Sequence, residues 1–478
     1  MKKKLGVNLG FQTFYQILIT ILPLITAPYL SRILGVESLG VFSYTNSVAS
    51  YFTLFAFLGT LSYGTRTIAS NQSDKKIRSV TFWEIYLLQA FSSAVCIAAY
   101  YIYIMLFCND NQLILMIQGI ALIGTLTDIS WLYFGMEDFR LTVTANGIVK
   151  VISVTCILLF VKEKQDLWLY TLIMVSSIVI SNMLLWIPIH KVVDLWKIKN
   201  IKIKTITKHI KPNIVLFIPL LAMSVYHVMD KTMLGSISTF EQSGFYYNSD
   251  RVVSTPVGII NGFCTVMLPR ITVFRNESEV SKANEYFFLS IKGMGMITSA
   301  MAFGLAAIAN EFIPIFYGPG YDTCILLMIF LSPILIIKGY CYIARMLYLV
   351  PAKKENVYIG SVIAGAITNL IANSILIPKY GAFGAVIGTL ISEFVSCVWQ
   401  YLFMMKYINY VRHLLSSLVY MVFGIVMYVT VRFSVRFLSN GLLGLFEEIL
   451  IGAIIYLTLC IVYWLITKNT FIRKLIKR

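Results

Sequence analysis
Long apolar runs separated by short polar breaks fill the chain almost from end to end. An α-helix rising about 1.5 Å per residue needs about 20 apolar residues to cross a hydrocarbon layer about 30 Å thick. The pattern predicts fourteen such spans, over residues 7–34, 40–66, 82–107, 113–135, 142–161, 167–189, 212–235, 243–269, 284–309, 323–349, 356–377, 383–405, 414–436 and 447–467. The fold class expected is an all-α polytopic membrane protein. The connections are too short for a separate soluble domain. The one distinctive connection is 191–211, KVVDLWKIKNIKIKTITKHIK, which alternates lysine with apolar residues and reads either as an interfacial amphipathic linker or as a solvated loop.

Composition agrees with this picture. Hydrophobic residues make up 58% of the 478 and charged residues 13%, against about a quarter charged in soluble domains. The net charge of +17 is expected to mark topology and an anionic partner, with nucleic acid not expected. Placing the N-terminus in the cytoplasm puts 26 Lys and Arg on inner segments and only Lys162, Lys164 and Lys379 on outer loops. The positive-inside rule then predicts that both termini are cytoplasmic. The start, MKKKLGVNLGFQ, runs on apolar through Tyr29 and reads as an uncleaved first helix. The eight cysteines form no C-x-x-C pair, so neither a metal site nor a disulfide framework is expected.

A faint internal echo runs through the chain. Leu34-Gly35 precedes Gly40-Val41-Phe42-Ser43-Tyr44, with Arg66 26 residues after Gly40; Leu234-Gly235 precedes Gly244-Phe245-Tyr246-Tyr247, with Arg270 26 residues after Gly244. Parallel six-helix repeats are expected, with residues 1–190 as an N-lobe, 191–211 as a basic linker, 212–410 as a C-lobe, and 411–478 as two further helices and a basic tail. Pro23 and Pro28 in the first helix and Pro219 in the seventh suggest either hinges or static kinks.

Ionisable residues inside membrane helices are costly and are candidate functional groups. Arg32, Lys231, Arg251, Lys338 and Arg345 are candidates for holding an anionic head group such as a phosphate or pyrophosphate. Arg66 and Arg270, at inner helix ends, either join them or snorkel. Asp128, Asp230 and Glu393 are candidates for proton or sodium coupling; Asp128 has a hydrogen bond to Trp131 as its structural alternative, and Asp230-Lys231 an ion pair. His227 reads as a structural histidine. Arg432 and Arg436 either meet lipid phosphates or pair with Glu447 and Glu448. No G-x-x-x-x-G-K-[ST] loop, H-E-x-x-H pattern or large outer loop is present, which leaves transport as the expected class and no resident cofactor.

Three runs then resemble a known family. The first is Asn8, Gly10, Gln12, Pro23 and Pro28-Tyr29-Leu30-Ser31-Arg32-Ile33-Leu34-Gly35, with Gly40-Val41-Phe42-Ser43-Tyr44 and Tyr63-Gly64-Thr65-Arg66-Thr67-Ile68-Ala69. The second is Asp230-Lys231, Leu234-Gly235, Gly244-Phe245-Tyr246 and Asp250-Arg251. The third is Asn369-Leu370, Asn373, Ile377-Pro378-Lys379-Tyr380-Gly381-Ala382-Phe383-Gly384-Ala385, Gly388-Thr389 and Glu393. Together they resemble the polysaccharide transporter family, which contains the Wzx-type O-antigen and capsule repeat-unit flippases, over helices one to twelve. The resemblance implies the multidrug/oligosaccharidyl-lipid/polysaccharide exporter (MOP, MATE-like) fold: two six-helix lobes in a V plus two C-terminal helices. It implies a bacterial plasma-membrane flippase for undecaprenyl-pyrophosphate-linked oligosaccharide, working by ion-coupled alternating access for O-antigen, capsule or exopolysaccharide assembly. Membrane lipids and a polysaccharide polymerase machinery are the implied partners. The alternatives are a drug or cation antiporter, a lipid II flippase, and a membrane glycan polymerase.

Overall fold
A computed structural model describes residues 2–277 and 279–467 of the chain. The basic tail 468–478 lies outside the described residues, as do the side chains of residues 2–17 and of Pro219 and His227. All regular structure among the described residues is helical. In chain order the long helices are α1 (Lys2–Phe57), α2 (Thr60–Ser70), α3 (Lys75–Phe107), α4 (Gln112–Gly135), α5 (Phe139–Phe160), α6 (Lys164–Val192), α7 (Ile210–Ile237), α8 (Phe240–Arg275), α9 (Val280–Tyr317), α10 (Asp322–Leu349), α11 (Glu355–Tyr380), α12 (Ala382–Met405), α13 (Val411–Phe437) and α14 (Leu442–Ile466). Among the described residues, eleven helices, α3–α6 and α8–α14, are apolar and long enough to cross a membrane. The other three expected spans fall on the two arms of α1, with α2 continuing the second, and on α7.

The outer faces of these helices are apolar, as lipid contact requires. On α14, Leu450, Ile454, Leu457, Ile461 and Leu465 are all exposed at helical spacing. A water-soluble protein does not leave such a continuous stripe uncovered. The chain is a multi-pass membrane protein.

The helix breaks have local causes. Gly35 sits at φ 75° and ψ 171°, dividing α1 into arms 2–34 and 36–57. Only glycine adopts that region freely. Pro23 and Pro28 lie inside the first arm, and the break falls at Gly35. Within that arm Tyr29 donates its hydroxyl to the carbonyl of Val161 at 2.6 Å, fixing α1 on the end of α5. A second break, at Leu58-Gly59, separates α1 from α2. There Asn213 of α7, fully buried, accepts the Gly59 N–H at 2.9 Å and donates to Thr60 Oγ1 at 3.2 Å.

Packing divides the chain at Ser236/Ile237 into two compact units. In the first, α1 packs on α3 and α5, and α2 on the end of α4. Helix α7, expected to open the C-lobe, clusters by packing with the helices before it, held by its Asn213 bonds to α2. In the second unit α11 and α12 pair along their lengths, while α13 and α14 pack on α9.

The expected Leu-Gly echo joins two different structural roles. Gly35 is a chain break, whereas Gly235 lies inside α7 against Tyr44, where an added Cβ would come within 2.3 Å of the ring. Gly35→Ala, which meets no steric neighbour, should therefore cost about 1–3 kcal/mol through backbone strain alone. Gly147→Ala, in an open site on α5, should be neutral or stabilising by up to about 1 kcal/mol. Thermal unfolding of the two variants in the same detergent checks the contrast.

Candidate functional site
The candidate charges fall into three kinds of surroundings. Some are tied to a neighbour. Lys338 of α10 faces Glu393 of α12, with Nζ 3.8 Å from Oε1 and both side chains largely buried. Such a pair partly neutralises both groups. Asp128 sits at a break within α4, where its carboxylate accepts the Ser130 N–H at 2.7 Å, at the first residue of the next helical stretch. The alternative expected for it, a bond to Trp131, is not made: the indole N–H donates to Gln89 Oε1 at 2.9 Å. Gln89, fully buried, also donates to the carbonyls of Thr125 and Asp128. Arg432 takes Glu311 as its hydrogen-bonded partner, and the expected Glu448 lies close enough to act on it electrostatically. Arg432 donates to Glu311 of α9 at 2.6 Å and to the Ala307 carbonyl, while Glu447 accepts from Ser439.

Other candidates lie at helix surfaces or half-buried. Arg32 is exposed, three residues before the Gly35 break, and donates to the Pro28 carbonyl at 3.2 Å. Arg270, in α8, is exposed, and Arg251, in the same helix, is half-buried. Asp230 is buried in α7 and Lys231 half-buried beside it, with Tyr51 of α1 near Asp230.

The third kind is a cation framed by aromatic rings. Arg345 donates to the Tyr358 hydroxyl at 2.8 Å, and its guanidinium lies 4.8 Å from the Tyr358 ring centre and 5.3 Å from that of Tyr342. Neither ring carries a formal charge. Tyrosine faces hold a guanidinium without cancelling its charge, so Arg345 keeps its attraction for an anion.

Arg66 lines an open groove of about 540 Å³ with Tyr63, Thr67 and Ser70 of α2 and Lys211, Pro212, Val215 and Leu216 of α7. Two cations therefore border walls that are mainly apolar. Gly64, one residue past Tyr63, allows α2 to lie on Trp131; an added Cβ would sit 2.6 Å from the indole.

Next to this groove lies a group of residues that the sequence pattern did not single out. Tyr63 Oη is 2.6 Å from His209 Nδ1; His209 Nε2 is 3.0 Å from Glu84 Oε2; and Lys208 Nζ is 2.8 Å from the same carboxylate oxygen. His209 and Glu84 are both buried. The missed signals were a lone acid near the start of an apolar span and a histidine masked by lysines in the linker. By contrast, Asn369 and Asn373 of the third family-like run, and residues flanking it, bond within and across the α11–α12 pair. Asn373 donates to Asn369, and Gln400 and Ser396 donate to Ser361, along the α11–α12 seam.

Known proteins match this chain in sequence and in fold. The family model described as polysaccharide biosynthesis protein matches residues 5–275, more than half of the chain. The chain belongs to the polysaccharide biosynthesis protein family. This agrees with the resemblance carried by the glycine- and arginine-containing runs of α1 and α2. A relative in Escherichia coli (strain K12), named "Putative O-antigen transporter", is 25% identical over 383 residues, covering 78% of this chain and 90% of its own length. A Haloferax volcanii relative, named "Probable low-salt glycan biosynthesis flippase Agl15", is 21% identical over 249 residues, 52% of each chain. Among solved structures, the lipid II flippase MurJ in an inward closed conformation matches with a TM-score of 0.76 at 14% identity, covering 96% of this chain and 100% of MurJ. An inward-facing multidrug resistance MATE transporter of the MOP superfamily matches with a TM-score of 0.60 at 12% identity, covering 81% of this chain and 97% of the transporter. The fold of this family member is thus the MOP type.

The Lys338–Glu393 pair gives a direct check of the geometry. Glu393→Gln alone should destabilise the protein by leaving a largely buried ammonium without its carboxylate. Adding Lys338→Met should recover part of that loss, with a coupling of about 1–3 kcal/mol in a double-mutant cycle. Thermal unfolding of the four proteins measures it.

Proposed function
We propose that this protein flips undecaprenyl-pyrophosphate-linked oligosaccharide repeat units from the inner to the outer leaflet of a bacterial plasma membrane. The glycan serves O-antigen, capsule or exopolysaccharide assembly, and a polysaccharide polymerase acts on the delivered units. Both termini face the cytoplasm, following the distribution of Lys and Arg. The family match over residues 5–275 and the names of the relatives support a glycan cargo. The observation that carries the head-group assignment is the groove at Arg66 and Lys211, where two cations meet apolar walls. A diphosphate joined to a polyprenyl chain combines those two chemistries, and charge-assisted hydrogen bonds to phosphate are among the strongest a side chain makes.

Arg66 and Arg345 are the principal head-group residues in this reading. Arg32, Lys231, Arg251 and Arg270 contribute positive charge along the route. Lys338 becomes available when its contact with Glu393 opens, and Glu393 and Asp230 are the acids placed to exchange a proton or sodium ion during the cycle. Asp128, engaged by the Ser130 N–H, joins them only when α4 moves. Drug antiport is disfavoured because the open groove is lined by cations and contains no carboxylate among its lining residues. Lipid II remains an alternative cargo of the same head-group chemistry.

Reconstitution into liposomes with a fluorescent undecaprenyl-pyrophosphate oligosaccharide tests the proposal, with inner-leaflet label read by a membrane-impermeant quencher. Protein-dependent flipping is expected, slowed about tenfold or more by Arg66→Ala or Arg345→Ala, the effect of losing one charge-assisted contact. Absence of flipping under both proton and sodium gradients, with transport of an organic cation instead, would overturn it.

A further inference from the structure
The Tyr63–His209–Glu84 chain links a buried titratable ring to a wall of the cationic groove, and its hydrogen positions follow from donor counting. The Glu84 carboxylate takes the Lys208 ammonium at 2.8 Å, which favours its ionised, acceptor-only form. The His209 Nε2, 3.0 Å away on the same oxygen, must then carry a hydrogen. A neutral imidazole with Nε2–H has a bare Nδ1, so Tyr63 must donate its hydroxyl hydrogen to it across 2.6 Å. In this state the Tyr63 hydroxyl offers nothing to the groove.

Adding one proton reverses that bond. Nδ1 becomes N–H and donates to the Tyr63 oxygen, and the hydroxyl hydrogen has to turn away from the ring. Tyr63 lines the groove beside Arg66 and Lys211, so the freed hydrogen has that open space to turn toward. The proton comes from hydronium in the solvent, whose O–H bond breaks to leave water as the N–H bond forms, and the added positive charge rests against the Glu84 carboxylate. The charged groups around the ring are Glu84 from α3, Lys208 from the linker, and Arg66 and Lys211 from the groove. Of the cations at the start of α3, Arg78 is turned to the carbonyls of Val192 and Gln72 and Lys75 to those of His190 and Lys191.

We infer that the Arg66–Lys211 groove is a proton-linked site for a diphosphate ester, in which protonation of His209 turns the Tyr63 hydroxyl into a third donor to the anion. This rests on the reading of the groove as a head-group site and adds its coupling to protons. By linkage, the anion also draws a proton onto His209. A diphosphate delivered on a lipid and a free one share this chemistry, and the lipid tail would lie along Pro212, Val215 and Leu216.

Calorimetric titration of the purified full-length protein with farnesyl diphosphate and with inorganic pyrophosphate tests the inference. It is run at about pH 6 and about pH 8, in buffers of different ionisation heat, so that proton uptake is read beside affinity. The ligands' own titration is the same for every protein, so it cancels in the ratio of wild type to Tyr63→Phe. That ratio should be about tenfold in favour of wild type at the lower pH, one hydrogen bond to a charged group, and near unity at the higher. Proton uptake on binding should be smaller in His209→Gln than in wild type. An unchanged ratio at the two pH values, with equal uptake in wild type and His209→Gln, would overturn the proton link while leaving the groove as an anion site. Failure of both diphosphates to bind wild type would overturn the groove itself, and liposome flipping would still judge the flippase reading separately. Farnesyl diphosphate binding more tightly than pyrophosphate would identify the lipid as the source. If His209→Gln does not fold, the Tyr63→Phe comparison, which keeps the ring, decides alone.

Discussion
A polar group placed among apolar helices must find its partner inside the protein, because lipid supplies none. The first unit is organised around that requirement. Asn213, at the start of α7, satisfies the Gly59 amide left open by the break before α2. One turn earlier His209 joins Tyr63 of α2 to Glu84 of α3. Gln89, further along α3, ties both carbonyls at the break in α4 and the Trp131 indole. Four helices and the linker are thereby held by a handful of buried side chains, each bond costly to lose. The groove at Arg66 exists because α2 and α7 are fixed at this distance by those bonds.

The same requirement sorts the charges of the second unit. Arg432 reaches across to Glu311, so α13 is pinned to α9 by an ion pair as well as by packing. Amides and hydroxyls of α11 and α12 meet across the seam, Asn369 with Ser392 and Ser361 with Ser396 and Gln400. Arg345 differs, since its framing by Tyr342 and Tyr358 orients the guanidinium and leaves its charge in place. A side chain held by aromatic faces is preorganised for an anion, which reduces the entropy lost on binding.

Much of the architecture could be read from hydrophobic length alone. Apolar runs of 20 or more residues permit little besides helices in a bilayer, and the long helices follow the expected spans closely. The family was legible because the run from Pro28 to Gly35 and the run around Tyr63–Arg66 combine chain-breaking, close-packing and charged residues at fixed spacing. Partner choice was not legible. Arg432 lies near Glu447 and Glu448 in sequence, yet it bonds to Glu311 on another helix. Trp131 follows Asp128 closely, yet its indole reaches Gln89 on α3. Sequence proximity fixes reach along one helix, whereas these contacts depend on helix rotation, which hydropathy does not encode. His209 was hidden for a related reason: a basic linker reads as solvated, and only packing reveals which of its residues turns inward. The glycine echo gave no sign of local role, since identical Leu-Gly pairs serve a backbone break at Gly35 and a close ring contact at Gly235.

The central proposal is that the cations of the groove, Arg66 and Lys211, hold a lipid-linked diphosphate. Native mass spectrometry of the purified protein with equimolar undecaprenyl diphosphate-linked sugar, undecaprenol and a lipophilic organic cation tests it most directly. The account predicts that the diphosphate lipid is retained and the neutral polyprenol largely lost, with retention weakened by added salt as charge screening requires. Retention of the organic cation in preference to the diphosphate lipid would contradict it.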